Sequence, residues 1–526
     1  MIFTSPYPDV DIPHSSLTAF VLEEAAARGD KPAFIDGPTG RTLTYAQLAG
    51  GVPKVAAGLA ERGFRKGDRF AIFCPNVPEY ALAFHGAAAA GGIVTTINPL
   101  YSVEELTFQL RNSKARYLLT IPQFLDRAQS AAGEAGVEEI FVLGEAEGAT
   151  PFTQLLASQG LPPQIDIEPA EDLVVLPYSS GTTGFPKGVM LTHRNLVANV
   201  CQTIEPHSAD ENDVVIGVIP FFHIYGMTAI MNIAIRVGGT VVTMPRFDLE
   251  EFLTLMQDHK ITRASLVPPI ILALAKHPIV EKYDLSNLEV IMSGAAPLGQ
   301  DLQEAAQARV GCVVMQGYGL TETSPVTHMN PDEEGKGRAG SIGFLIPNTE
   351  AKYVDPESGK ELGVGETGEL WIRGPQVMKG YLDNDEATRH ALDDDGWLRT
   401  GDIGYVDEDG FFFLVDRLKE LIKYKGFQVP PAELEALLLS HPSVADAAVI
   451  PVPDEEAGEI PKAFVVKKGD VSKDDIMSFV AERVSPQKKI RQVEFIDEIP
   501  KSASGKILRR VLIDQEKAKA RIRTIL

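Results

Sequence analysis

The chain has 526 residues, 44% of them hydrophobic and 23% charged. These are ordinary globular proportions over a length that calls for several domains, so global disorder and a fibrous repeat are excluded. The formal charge is −23, from 49 basic and 72 acidic residues, and so acidic a chain repels phosphate backbones, which argues against general nucleic-acid binding.

In chain order, residues 1–6 show no basic region leading into an apolar one, so no secretory signal is visible. Leu17, Phe20, Val21 and Ala25 fall on one helical face. Residues 69–75 read as a strand stopped by Pro75, 103–112 as a helix, and 116–121 and 140–144 as strands. Residues 173–177, 214–219 and 288–293 continue the alternation, which predicts an α/β fold with mostly parallel sheets. Two uncharged stretches, 80–103 and 214–235, are long enough to span a membrane. Their glycines, prolines and polar residues read as buried core instead.

Residues 359–410 change character, with short strands between dense turn residues, and predict a β-rich subdomain. The last 110 residues form a compact pattern of their own. A helix opens at Pro430-Pro431 and runs through Leu439, residues 449–450 and 464–466 read as strands, and Ser472 to Asp475 resembles a capping box. The boundary is expected near 416–420. From Arg417 onward there are 20 basic and 17 acidic residues, a net of +3, which leaves 29 basic and 55 acidic, a net of −26, for residues 1–416. That asymmetry suggests two units with different tasks. Cys74, Cys201 and Cys312 are too dispersed for a disulfide framework or a metal site and point to a reducing, cytoplasmic setting.

Four segments carry chemistry. Residues 178–189 follow a strand and pack glycines, hydroxyls and Lys187 into a short loop. Glycines let backbone N–H groups approach phosphate oxygens, and lysine adds charge. On composition alone the segment also reads as a flexible Ser/Gly/Thr loop. Pro186 and Gly188 break the Walker A pattern, so this is a phosphate cradle of another kind. Gln316-Gly317-Tyr318-Gly319-Leu320-Thr321-Glu322-Thr323 reads as a turn offering an aromatic face for a base and a carboxylate for Mg²⁺. Thr400-Gly401-Asp402 presents a carboxylate able to accept from ribose hydroxyls, although most Gly-Asp turns are structural. Residues 500–510 place Lys506 in a Ser/Gly turn before a basic helix, which by itself is equally a solvated surface.

Ser179-Ser180-Gly181-Thr182-Thr183-Gly184-Phe185-Pro186-Lys187-Gly188 resembles the signature of the adenylate-forming superfamily of acyl-CoA synthetases, luciferases and peptide-synthetase adenylation domains. The other three segments match that family in the same order along the chain. The resemblance implies a large N-terminal domain (1–416) of two α/β sheet subdomains plus a β-rich subdomain, and a small mobile C-terminal α+β domain (417–526) hinged near Lys419. It further implies that Ser179, Ser180, Gly181, Thr182, Thr183, Gly184, Lys187, Gln316, Gly317, Tyr318, Gly319, Thr321, Asp402 and Arg417 bind ATP or AMP. Thr183 and Glu322 would hold magnesium, Lys506 would act in adenylation, and Lys423 and Gln428 would serve thioester formation.

Residues 220–226, 294–298, 325–326, 368–374 and 423–429 look like the 4-coumarate–CoA ligase branch. This resemblance makes Tyr225, Gly294, Ala295, Ala296, Pro325 and Val326 an acyl pocket and His223 a gate, although a core histidine among aromatics is the plainer reading of His223. Trp371 departs from plant members of that branch, which carry a small residue there. The implied activity is conversion of a carboxylate through acyl-AMP to acyl-CoA, with ATP, Mg²⁺ and coenzyme A. The expected acid is a hydroxycinnamate; a fatty acid, or a non-catalytic AMP-binding role, is the alternative. The expected partners are therefore small molecules, with no nucleic acid and no membrane span, for a monomer or homodimer. No cysteine is expected to act as a nucleophile.

Overall fold

The computed structural model describes residues 1–525 except 180–185, 426, 455 and 503–504, and omits the side chains of 205 and 520–525. Two large sheets dominate. In the first, Ile93–Thr96, Arg69–Phe73, Ala115–Thr120, Glu139–Val142 and Thr150–Pro151 run parallel with Leu173–Ser179, while Lys187–Thr192 and Gly380–Tyr381 close one edge antiparallel. In the second, Pro32–Asp36, Thr240–Thr243, Val214–Gly217, Arg263–Leu266, Val290–Ser293 and Val313–Gly319 run parallel, with antiparallel strands at both edges. Their central strands are rich in Val, Ile, Leu and Phe because helices cover both faces. Ile93–Thr96 and Val290–Ser293 are buried at every position.

Both uncharged stretches lie in this core. The helix Glu79–Ala89 buries Tyr80 through Ala88, and residues 221–235 are largely buried. No helix among the described residues is long and apolar enough to cross a membrane.

A third sheet holds the strands Phe3–Thr4, Glu350–Val354, Gly368–Arg373, Leu398–Val406 and Phe412–Arg417 in that order. It is antiparallel throughout and is the β-rich subdomain, but it starts earlier than residue 359, ends later than 410 and takes an edge strand from the N-terminus. A helix, Asp385–Ala391, interrupts it. Trp371 lies on this sheet between two cations, Arg399 at 4.8 Å and Lys352 at 5.1 Å from its ring, and serves to brace the sheet.

The last 110 residues have their own sheet and a core of Ile422, Leu434, Leu438, Val449, Val465 and Ile476, among others. The capping box at Ser472 is present, with both the Ser472 hydroxyl and the Asp475 carboxylate engaged. The strands there, Val444–Asp454 and Gly458–Lys467, are longer than their short apolar runs suggest, because ten paired positions hold them together. The mixed architecture of two α/β sheets, one β-rich sheet and a small α+β unit agrees with the expected fold class.

Candidate active site

In open α/β sheets ligands bind beyond the carboxyl ends of the strands. Here the carboxyl ends of both large sheets converge. Ser179 ends Leu173–Ser179 in one sheet, and Gly319 ends Val313–Gly319 in the other. Residues 316–319 are thus strand, not turn; the turn comes after them, as the short 3-10 helix Thr321–Thr323. Gly319 is required: a Cβ there would stand 2.0 Å from the Pro325 carbonyl oxygen, to which the Leu320 amide donates.

Glu322 joins the two sheets. Its Oε1 accepts from the Ser179 hydroxyl at 3.0 Å and from the Tyr381 hydroxyl at 2.8 Å. Lys187 lies over the Tyr381 ring at 5.0 Å, so phosphate-loop lysine, tyrosine and carboxylate form one cluster. Tyr381 was missed in the sequence because Met378-Lys379-Gly380-Tyr381 shows no chemical pattern. Ser180, Gly181, Thr182, Thr183, Gly184 and Phe185 lie outside the described residues.

Asp402 and Arg417 face each other across two antiparallel strands, with Arg417 Nε 3.2 Å from Oδ1. The Tyr318 hydroxyl donates to Oδ2. Burial, then the Asp402 charge, pushes the Tyr318 phenol well above its ordinary range, so it stays a donor. The Gln316 side chain is engaged elsewhere: its oxygen accepts from the Leu298 amide at 2.9 Å and its nitrogen donates to Gln303 at 3.1 Å. It braces the strand instead of facing a nucleotide.

At the expected acyl pocket, the Tyr225 hydroxyl donates to the Met292 carbonyl at 3.0 Å. A Cβ on Gly294 would stand 2.9 Å from the Tyr225 ring, so the missing side chain makes room for this tyrosine first. Ala295 holds a left-handed φ of 69° beside it, next to half-buried Ala296, while Pro325 and Val326 are buried across the site. A buried helix, His193–His207, holds that wall: Asn199 donates to the Val326 carbonyl at 2.8 Å and accepts from its amide at 3.1 Å. His223 Nδ1 accepts from the Tyr225 amide at 3.2 Å, which leaves the proton of the neutral ring on Nε2. Burial and the nearby Lys506 charge push His223 down to about 3, so the ring is neutral at physiological pH. A small cavity lies beside it, lined by Thr96, Tyr101, Gln109, Tyr178, Phe222 and Thr321.

Lys506 reaches this site from the last 110 residues. Its loop touches the body, where Gly505, at φ 77°, would bring a Cβ within 3.2 Å of Val267. Burial and then Arg417 lower Lys506 to about 8, against the opposing pull of Glu322, Asp402 and Glu420. The four groups seen by Lys506 thus include the expected metal carboxylate and ribose pair. By contrast, Lys423 and Gln428 pair across an exposed hairpin, with Phe427 56% exposed, and Lys419 is exposed between the third sheet and that hairpin. The structure therefore gathers Lys506, Glu322, Asp402, Arg417, Tyr318 and His223, and leaves Lys419, Lys423 and Gln428 outside. Cys74 and Cys312 are buried, and burial pushes Cys201 up to about 11 and Cys312 to about 12, which disfavours the thiolate.

Residues 21–382 match the AMP-binding enzyme family, and residues 433–506 match the AMP-binding enzyme C-terminal domain. The chain belongs to the AMP-binding enzyme family. It is 45% identical over 523 residues to 4-coumarate–CoA ligase 3 of Oryza sativa subsp. japonica, covering 97% of this chain and 94% of the relative. It is 43% identical to 4-coumarate–CoA ligase of Pinus taeda, covering 98% of each. Among solved structures, the anthranilate CoA ligase AuaEII in complex with anthranoyl-AMP superposes with a TM-score of 0.90 at 27% identity, over 97% of this chain and 99% of that one. ATP-bound MatB from Rhodopseudomonas palustris gives 0.85 at 29% identity, over 95% and 99%. These findings bear out the adenylate-forming resemblance and its 4-coumarate–CoA ligase side.

Proposed function

We propose that the protein is an ATP- and CoA-dependent ligase that converts a hydroxycinnamate of the 4-coumarate type, through its acyl-AMP, to the acyl-CoA. One observation carries the reading: the loop of half-buried Lys506, from the far end of the chain, packs against Val267 of the body, where the lysine feels the charges of Glu322, Asp402 and Arg417. The full-length relatives named 4-coumarate–CoA ligase support the acid, as does the aromatic acid of the anthranilate CoA ligase structure. Tyr225, packed against Gly294, supplies a flat wall for a ring.

In the first half-reaction an oxygen of the substrate carboxylate attacks the α-phosphorus of ATP and pyrophosphate leaves. Lys187 and residues 179–184 hold the phosphates. Asp402 and Arg417 hold the ribose, and Gly317, Tyr318, Gly319 and Thr321 form the base and α-phosphate wall. Lys506 places its charge where negative charge develops. No group of three or more His, Cys, Asp or Glu that could hold a metal occurs among the described residues. Mg²⁺ fits this site all the same, because it binds through one or two carboxylates plus substrate phosphates, and Glu322 offers a carboxylate oriented by two hydroxyls. Glu322, with Thr183, would hold the ion, which neutralises phosphate charge when bound.

In the second half-reaction the thiol sulfur of CoA loses its proton and attacks the acyl carbon, and AMP leaves. We take residues 1–416 as the body and 417–526 as a unit that turns about Lys419, withdrawing Lys506 and bringing the Lys423–Gln428 hairpin to the site; we place the enzyme in the cytoplasm. The exposed position of that hairpin in this orientation supports the turn. The test is CoA-dependent AMP release across cinnamates, benzoates and fatty acids. The expected result is preference for 4-coumarate; preference for octanoate or longer acids overturns the substrate. Lys506→Ala should abolish acyl-AMP formation yet permit thioester formation from supplied acyl-AMP, and equal loss of both steps overturns the role of Lys506.

A further inference from the structure

Three residues beyond Lys506, Arg509 opens the helix Arg509–Ile525. Its side chain is 14% exposed and meets two carboxylates. Nη1 donates to Glu420, next to Lys419, and Nη2 donates to Glu435 at 2.6 Å, in the helix Pro431–Ser440. Glu435 is itself 7% exposed and accepts from the Val449 amide at 2.8 Å. A third carboxylate, Asp416, lies within the field of Arg509. It belongs to the third sheet of the body, yet its Oδ2 accepts from the Ala432 amide at 2.8 Å, in the first turn of Pro431–Ser440. That helix has no side-chain cap of its own, so a body residue satisfies one of its open donors.

The neck of the loop that carries Lys506 is flanked by two ion-paired residues, Lys501 and Arg509. The Lys501–Ile507 bridge and the Leu508 amide to Pro500 carbonyl bond at 2.8 Å shut its neck. Lys501 pairs with Asp446 on one side of the neck and Arg509 with Glu420 and Glu435 on the other. Turning residues about Lys419 carries Arg509, Glu420 and Glu435 together and takes Ala432 away from Asp416.

We propose that Arg509 is a positioning residue for acyl-AMP formation: it fixes the neck of the Lys506 loop inside the C-terminal unit, while the Asp416–Ala432 bond holds that unit against the body in the orientation that presents Lys506. The proposal rests on the role assigned to Lys506 above. An unpaired charge at this neck would loosen the loop and misplace the lysine, and misplacement of a reacting group by about 1 Å costs on the order of a hundredfold in rate.

The test separates the two half-reactions. In Arg509→Gln, pyrophosphate release without CoA should fall on the order of 10- to 100-fold, while thioester formation from supplied acyl-AMP should stay within about twofold, since the second step does not use this orientation. Arg509→Lys, which keeps one charge but not the fork, should recover part of the first step. Should Arg509→Gln fail to fold because Glu435 is left buried and unpaired, Arg509→Gln/Glu435→Gln removes both charges and is read by the same assays. Equal loss in both steps, or full acyl-AMP formation, overturns the proposal. Lys506→Ala is the control. If it retains acyl-AMP formation, the reading of the site fails; if it loses that step while Arg509→Gln does not, only the present proposal fails.

Discussion

The Tyr381 hydroxyl donates to Glu322 Oε1 at 2.8 Å, and the two residues come from different sheets, 59 positions apart. Tyr381 sits on the antiparallel edge strand Gly380–Tyr381 of the first sheet, while Glu322 follows the last parallel strand of the second. The carboxylate proposed to face the phosphates is therefore held by two hydroxyl donors, Ser179 and Tyr381, both from the first sheet, across the cleft from its own strand. A hydrogen bond to a charged group contributes about 1.5–3 kcal/mol, enough to decide which way the carboxylate points.

Removing that donor should weaken the site without unfolding it. Tyr381→Phe is expected to raise the Mg²⁺ concentration needed for half-maximal acyl-AMP formation about tenfold, with a melting temperature within a few degrees of the parent. Titration of pyrophosphate release against Mg²⁺ checks this; an unchanged Mg²⁺ dependence would mean that Ser179 alone orients Glu322.

Lys506 gives a sign for pH. The proposed role of Lys506 needs the cation, and burial, then Arg417, has lowered it to about 8. Below that value the lysine is charged and acts; as pH rises through it, the charge is lost. The kcat/KM of acyl-AMP formation, which reports the free enzyme, should therefore fall about tenfold per unit above pH 8 or so, and the residual rate of Lys506→Ala should lack this limb. His223, lowered to about 3, contributes no change between pH 5 and 8.

Asp402 is 5% exposed and engaged by both Tyr318 and Arg417. Asp402→Asn keeps the shape but removes the charge that orders them. The KM for ATP should rise on the order of tenfold, the loss of one charge-assisted hydrogen bond, while the KM for the acid stays within about twofold. A parallel rise in both constants would refute a ribose-side role.

Gly294→Ala tests the acyl wall. The new Cβ would meet the Tyr225 ring at 2.9–3.0 Å, and such overpacking costs about 1–3 kcal/mol. Urea unfolding should show that loss, and displacement of Tyr225 should raise the KM for 4-coumarate more than that for ATP. Stability equal to the parent would mean that Tyr225 moves freely.

Local chemistry made part of this site legible. Lys187 in its loop, Glu322, Asp402 and Lys506 stand in segments whose glycines, hydroxyls and charges made them candidates, and the family resemblance, not local chemistry alone, singled them out. The braces were not legible. Asn199 lies inside a helix with no motif, and Tyr381 and Arg509 owe their roles to partners 59 and 74 positions away. The same blindness affected Gln316, which stands in the right segment but turns its amide toward Leu298 and Gln303.

The amino-acid sequence by itself determined the α/β alternation, the separate character of the last 110 residues and the functional segments, because periodicity, turn residues and motif spacing are local properties. Only the tertiary structure decided that Phe3–Thr4 edges the third sheet, that Asp416 caps a helix of the C-terminal unit, and that Lys506 comes within the field of Glu322 while Lys423 and Gln428 remain on the surface. Those outcomes depend on pairings between residues hundreds or tens of positions apart, backbone to backbone for Phe3–Thr4 and amide to carboxylate for Asp416, which no local pattern records.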